Sequence, residues 1–221
     1  AGKTRLVQRV AVKYAERFLN GACFVSLADV ESQVHFIAAL LDTLNLPLKD
    51  SSAPKAQLLN ALRDQELLLA LDNFEHLVES CAGVLAELLQ AALRVKLLIT
   101  SRQRLDLRAE WLMNLDGLPG ESANELFLQT ATQARGSELA PSESVARICQ
   151  KLDGLPLGIE LAAAWTRVMS LEQIETELAR GIDLLAATAR DVEPRHRTLR
   201  AAFEHSRRLL RDDERDTFAR L

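Results

Sequence analysis

Three short stretches of this chain are apolar with almost no alternation: Ala22-Cys23-Phe24-Val25-Ser26-Leu27, Leu67-Leu68-Leu69-Ala70-Leu71 and Val95-Lys96-Leu97-Leu98-Ile99. Each is too short for a core helix and lacks a polar face, so each reads as a strand covered on both sides. Between and behind them lie segments of helical periodicity at Val34 to Leu44, Ala56 to Arg63 and Val84 to Ala92. Buried strands that alternate with helices belong to a parallel sheet with helices packed on it, which makes the fold class α/β. The loop Leu46 to Pro54 separates the first two of these helices. A further strand is expected through Trp111, Leu112, Met113 and Leu115, ended by the turn residues Asp116-Gly117-Leu118-Pro119-Gly120.

From Glu121 onward the periodicity is helical throughout. Leu126, Phe127, Thr130 and Ala134 mark one face; Val145, Ile148, Cys149 and Leu152 a second; Leu157, Leu161, Ala162 and Trp165 a third. Ser170-Leu171-Glu172-Gln173 has the spacing of a capping box and places a helix start before Leu171. The pattern breaks around Asp191-Val192-Glu193-Pro194, and Leu199, Ala202, Phe203, Leu209 and Leu210 begin another helix. The expected division is an α/β domain over 1–119, an all-helical subdomain over 120–190 and the start of a further subdomain over 195–221.

With 221 residues, 48% of them hydrophobic, the chain can bury a substantial core. Its formal net charge of -4 gives no overall basic field, so nucleic-acid contact by this stretch is not favoured. Its three cysteines, Cys23, Cys81 and Cys149, are far apart with no Cys-x-x-Cys pair, as expected of reduced core thiols. His35, His76, His196 and His205 show no metal-ligand spacing and carry no assigned chemistry. No apolar run approaches the ~20 residues of a membrane span, and no signal-peptide pattern is present, so a cytoplasmic protein is expected. Trp111 and Trp165 are expected in the core or at a subdomain interface.

The chemistry lies in four motifs. Gly2-Lys3-Thr4 opens an amphipathic helix carried by Leu6, Val7, Val10, Ala11, Tyr14 and Phe18. A helix N-terminus is a ready phosphate site, and Gly-Lys-Thr matches the second half of a phosphate loop, where lysine reaches the outer phosphates and the hydroxyl ligates Mg2+. The leading glycine and the strand that feeds such a loop are missing, so the chain is expected to be an excerpt of a longer protein. Asp72 ends the second strand at the carboxyl edge of the sheet, where it can hold Mg2+. Asn73 follows instead of an acid, which leaves Glu75 as the nearest group able to polarise a water, and hydrolysis should be slow. Arg102, in Thr100-Ser101-Arg102 behind the third strand, is placed to sense a terminal phosphate. Gly154-Leu155-Pro156-Leu157 joins two helices, with proline at the first turn of the second.

In this order the motifs resemble those of the STAND class of P-loop NTPases, specifically the NB-ARC-like module of bacterial multidomain transcription regulators. Gly2-Lys3-Thr4-Arg5-Leu6 resembles the end of its Walker A; Leu71-Asp72-Asn73-Phe74-Glu75-His76-Leu77 its Walker B; Ile99-Thr100-Ser101-Arg102 its sensor; and Gly154 to Ala162 its helical-domain proline motif. Arg195 to Leu221 is similar to the entry into its winged-helix subdomain. The resemblance implies a switch that rests with ADP, opens or self-associates with ATP, and hydrolyses ATP slowly. It assigns Gly2, Lys3, Thr4 and Arg5 to the phosphates, Thr4 and Asp72 to Mg2+, Arg102 to phosphate sensing and Pro156 to the nucleoside, with DNA reached through a domain outside this chain. A nonhydrolysing scaffold for protein–protein interaction is the alternative; a conventional ATP-driven motor is disfavoured by the proline motif.

Overall fold

The computed structural model describes residues 2–46 and 53–180. The expected linker at 191–194, the winged-helix start at 195–221 and His196 and His205 lie outside the described residues. Among the described residues the chain divides into two compact units, one spanning Lys3–Met113 and the other comprising residues 114–180 together with Gly2.

In the first unit, α1 (Lys3–Tyr14) is followed by β1 (Ala22–Ser26), α2 (Gln33–Thr43), α3 (Pro54–Leu62), β2 (Leu68–Asp72), α4 (Val78–Ala91) and β3 (Lys96–Ile99). The strands form a parallel sheet in the order β1-β2-β3, with Val25 opposite Leu71 and Leu71 opposite Ile99. Because side chains alternate along a strand, each strand serves two layers. Ala22, Phe24, Ala70 and Leu98 turn to the face that packs with Val7 and Ala11 of α1. Cys23, Val25, Leu69, Leu71, Leu97 and Ile99 turn to the other face, against Phe36 and Leu40 of α2, Leu58 and Leu62 of α3, and Leu85 and Leu88 of α4. The central strand β2 is buried along its whole length, which explains its unbroken apolar run. Ser32 caps α2 by accepting a hydrogen bond from the His35 N–H, and proline stands in the first turn of α3, where a missing N–H costs nothing.

The strand expected at Trp111 to Leu115 does not form. Trp111 is 96% exposed and Met113 73% exposed, and the segment has no regular structure. A strand is a paired object, and no ladder partner for this segment exists among the described residues. Trp111 is accordingly not a core residue.

The second unit is helical: α5 (Gly120–Arg135), α6 (Glu143–Lys151), α7 (Pro156–Trp165) and α8 (Leu171–Arg180). Ala123, Phe127 and Ala131 of α5, Ile148 and Cys149 of α6, Ile159 and Ala162 of α7, and Ile174 of α8 make its core, against which Trp165 packs. The small residues on α5 and α7 let the two helices pack closely. The capping box forms as its spacing predicts: the Gln173 N–H donates to Ser170 Oγ at 3.3 Å and the Ser170 N–H to Gln173 Oε1 at 2.9 Å. Gly154 closes α6 with φ +64°, and Pro156 opens α7. No helix among the described residues is long and apolar enough to cross a membrane.

Candidate functional site

Strand periodicity aims the central carboxylate. Asp72 stands two residues beyond Ala70 and so shares its face, the face on which α1 lies. At the carboxyl end of β2 its side chain therefore meets the first turn of α1. The Thr4 hydroxyl reaches both carboxylate oxygens, at 3.0 Å to Oδ1 and 2.9 Å to Oδ2. Thr100, the residue after β3, lies beside Asp72 by register and donates to its Oδ1 at 2.5 Å. Asp72 and Thr100 are both buried.

Thr100 is the functional candidate that motif spacing did not single out. Its hydroxyl accepts the Asn73 N–H at 2.9 Å, so its one proton is committed to Asp72. Its carbonyl oxygen accepts the Phe74 N–H, and its own N–H donates to the Leu71 carbonyl. One residue thus fixes both the carboxylate and the chain that leaves it, where Asn73 takes φ +67°. The sequence signal was a threonine at a strand end, which gains meaning only once the register sets it opposite Asp72. Thr100→Val should lower stability by about 2 kcal/mol in denaturant unfolding, since the Asn73 N–H and Asp72 Oδ1 each lose a buried partner, whereas Thr100→Ser should keep most of it.

Glu75 lies in the short turn Glu75–Leu77 behind Asp72 and is buried. Its Oε1 stands 3.4 Å from Arg102 Nε; the Glu75 side chain is 3% exposed and that of Arg102 26%. Lys3, at the start of α1, belongs to the same cluster. Burial and the nearby Arg102 guanidinium lower its pKa from the ordinary lysine value, and Glu75 partly offsets them. The structure therefore brings together Lys3, Thr4, Asp72, Glu75 and Arg102. Gly2, with φ +67°, immediately precedes α1. Arg5 is exposed on α1 and lines a shallow surface groove with Gln8, Arg9, Val12 and Lys13. Pro156 belongs to the helical unit.

His76 is hydrogen-bonded to the Val30 carbonyl at 2.7 Å. The three cysteines are free thiols, and burial pushes that of Cys149 up to about 11, far from a reactive thiolate. No group of His, Cys, Asp and Glu side chains able to hold a metal on its own occurs among the described residues.

Fold and site define an α/β protein whose parallel sheet gathers cations, carboxylates and hydroxyls at its carboxyl edge. Over its whole length the chain is 34% identical to "Putative HTH-type transcriptional regulator Rv0890c" of Mycobacterium tuberculosis and to Mb0914c of Mycobacterium bovis, and covers 25% of each. It is also 32% identical over its whole length to the uncharacterized protein Rv0894 of Mycobacterium tuberculosis, covering 57% of it. The chain thus spans about a quarter of the length of the regulators it matches. No protein-family model matches it.

Proposed function

We propose that this chain is the nucleotide-switch module of a signal-responsive transcription regulator, holding an adenine nucleotide with Mg2+ and hydrolysing ATP slowly. The observation that carries the reading is the Thr4–Asp72 contact at the N-terminus of α1, with Lys3 and Arg102 beside it. A hydroxyl and a carboxylate are hard oxygen donors of the kind Mg2+ takes, and the residues present fit that ion. When bound, Mg2+ would neutralise phosphate charge. Lys3 and Arg102 supply the cations for an anionic ligand, and partial burial of Lys3 makes that ligand's charge welcome. Asn73 offers no carboxylate beside Asp72, and Glu75 is engaged by Arg102, which supports slow turnover.

The resemblance adds Gly2 and Arg5 to the phosphate contacts and Pro156 to the nucleoside. The regulatory half of the reading rests on relatives whose names describe HTH-type regulators. DNA contact is assigned to a domain outside this chain, since the charge of -4 supplies no basic field. Self-association in the ATP state and a cytoplasmic location belong to the same proposal.

The test uses the full-length gene product, purified, denatured and assayed chromatographically for released nucleotide, beside Lys3→Ala. The wild type should release ADP or ATP in near-stoichiometric amount, and the variant at least about tenfold less, because a charge-assisted phosphate contact is lost. Absence of nucleotide from both proteins, with no uptake of added ATP or ADP, overturns the switch and leaves a scaffold.

A further inference from the structure

Glu75 has a use that proton abstraction does not describe. Through Oε1 the Glu75 carboxylate faces the Arg102 guanidinium at 3.4 Å, with its side chain almost wholly out of solvent. Its field also acts on the Lys3 ammonium, opposing the effect of Arg102 there. One buried carboxylate thus offsets the repulsion between two cations of the same site. That is the electrostatic position of a bound phosphate.

We propose that Glu75 is the internal counter-ion of this site: it holds Arg102 while no terminal phosphate is present, and an incoming terminal phosphate takes the guanidinium from it. The inference rests on the nucleotide reading above. Two consequences follow from charge alone. Binding of any polyphosphate is weakened by the Glu75 charge, and the nucleotide that reaches Arg102 must exchange one ion pair for another. Glu75 then sets discrimination between nucleotides by the number of phosphates they carry. The exchange moves no proton and breaks no covalent bond.

The test is equilibrium binding of ATP and of ADP, each with Mg2+, to the full-length gene product and to Glu75→Gln. The variant should bind ATP about tenfold tighter, with a smaller gain for ADP. In an Arg102→Ala background the gain from Glu75→Gln should shrink, because the exchange partner is gone. Unaltered ATP affinity in Glu75→Gln, with or without loss of hydrolysis, overturns the counter-ion. Should Glu75→Gln not fold, hydrogen exchange on the wild type decides: the Glu75–Leu77 turn should exchange faster with ATP bound than with ADP, and equal rates overturn the proposal. A wild type that binds neither nucleotide removes the parent reading as well. A wild type that binds both, with a variant identical to it, removes only this one.

Discussion

On the nucleotide-switch reading proposed above, Asp72→Asn is expected to leave the α/β unit folded while removing most of the response to Mg2+, whereas Asp72→Ala should damage both. The difference follows from counting donors. Asp72 accepts the Thr100 hydroxyl at Oδ1 and the Thr4 hydroxyl across both oxygens. An asparagine keeps one carbonyl oxygen for Thr100, and its amide can donate to the Thr4 oxygen, which accepts as readily as it donates. The buried polar groups then stay paired and stability changes little. An alanine leaves the Thr100 hydroxyl in a buried place without an acceptor, at a cost of about 1–3 kcal/mol. Part of that loss is returned because a buried charge disappears with it. For the ion both variants lose the carboxylate charge, the asparagine keeping one neutral, weaker oxygen and the alanine none. The Mg2+-dependent part of nucleotide affinity should fall by about 10- to 100-fold in each, while binding in EDTA should not fall, because a carboxylate that repels the polyphosphate is gone. Denaturant unfolding and nucleotide titration with and without Mg2+ separate the effects. Equal Mg2+ dependence in Asp72→Asn and the wild type would remove Asp72 as a metal ligand.

Much of this unit is legible from periodicity, because burial on both faces leaves a direct trace. β2 is apolar along its length since α1 lies on one side of it and α2 to α4 on the other. The helix starts at Ser170 and Pro156 are equally legible, because a side chain pairs the free N–H groups at the first and proline at the second has no N–H to pair. The segment at Trp111 shows the limit of such reasoning. Its apolar residues suit a strand, but pairing is decided by what lies beside a strand, which local composition does not encode. The site divides the same way. Motif order nominates Lys3 and Thr4 at a helix start and Asp72 and Arg102 at and behind strand ends. Thr100 as the holder of Asp72, and Glu75 as the partner of Arg102, emerge only when register and turn geometry bring residues distant in sequence within reach.

Gly117→Ala is expected to be among the most destabilising substitutions in the helical unit. A Cβ at Gly117 would stand 1.8 Å from the Asp153 carbonyl oxygen, and one at Gly154 would stand 2.3 Å from the Leu118 carbonyl oxygen. Between these glycines the Leu118 N–H donates to the Gly154 carbonyl at 2.7 Å. Two backbones therefore touch with no side chain between them, and no flexible group is available to move aside. Accommodating a methyl group means separating the two chain segments of this contact and losing its hydrogen bond. The expected cost is about 3 kcal/mol or more, the upper range of overpacking. Gly154→Ala adds backbone strain, since φ there is +64°. The double variant should cost less than the sum of the two, because the first opens the contact that the second would violate. Gly83 supplies the control. It lies in α4 with nothing within 4 Å of its would-be Cβ, so Gly83→Ala should stabilise by about 0.5–1 kcal/mol through helix propensity. Chemical unfolding gives the ranking, and hydrogen exchange should place the Gly117→Ala damage in α5 to α7 while β1 to β3 stay protected. The contact pins the chain two residues before Pro156, so the start of α7 should lose protection first; damage spread evenly over both units would show that the glycine contact does not organise the helical unit.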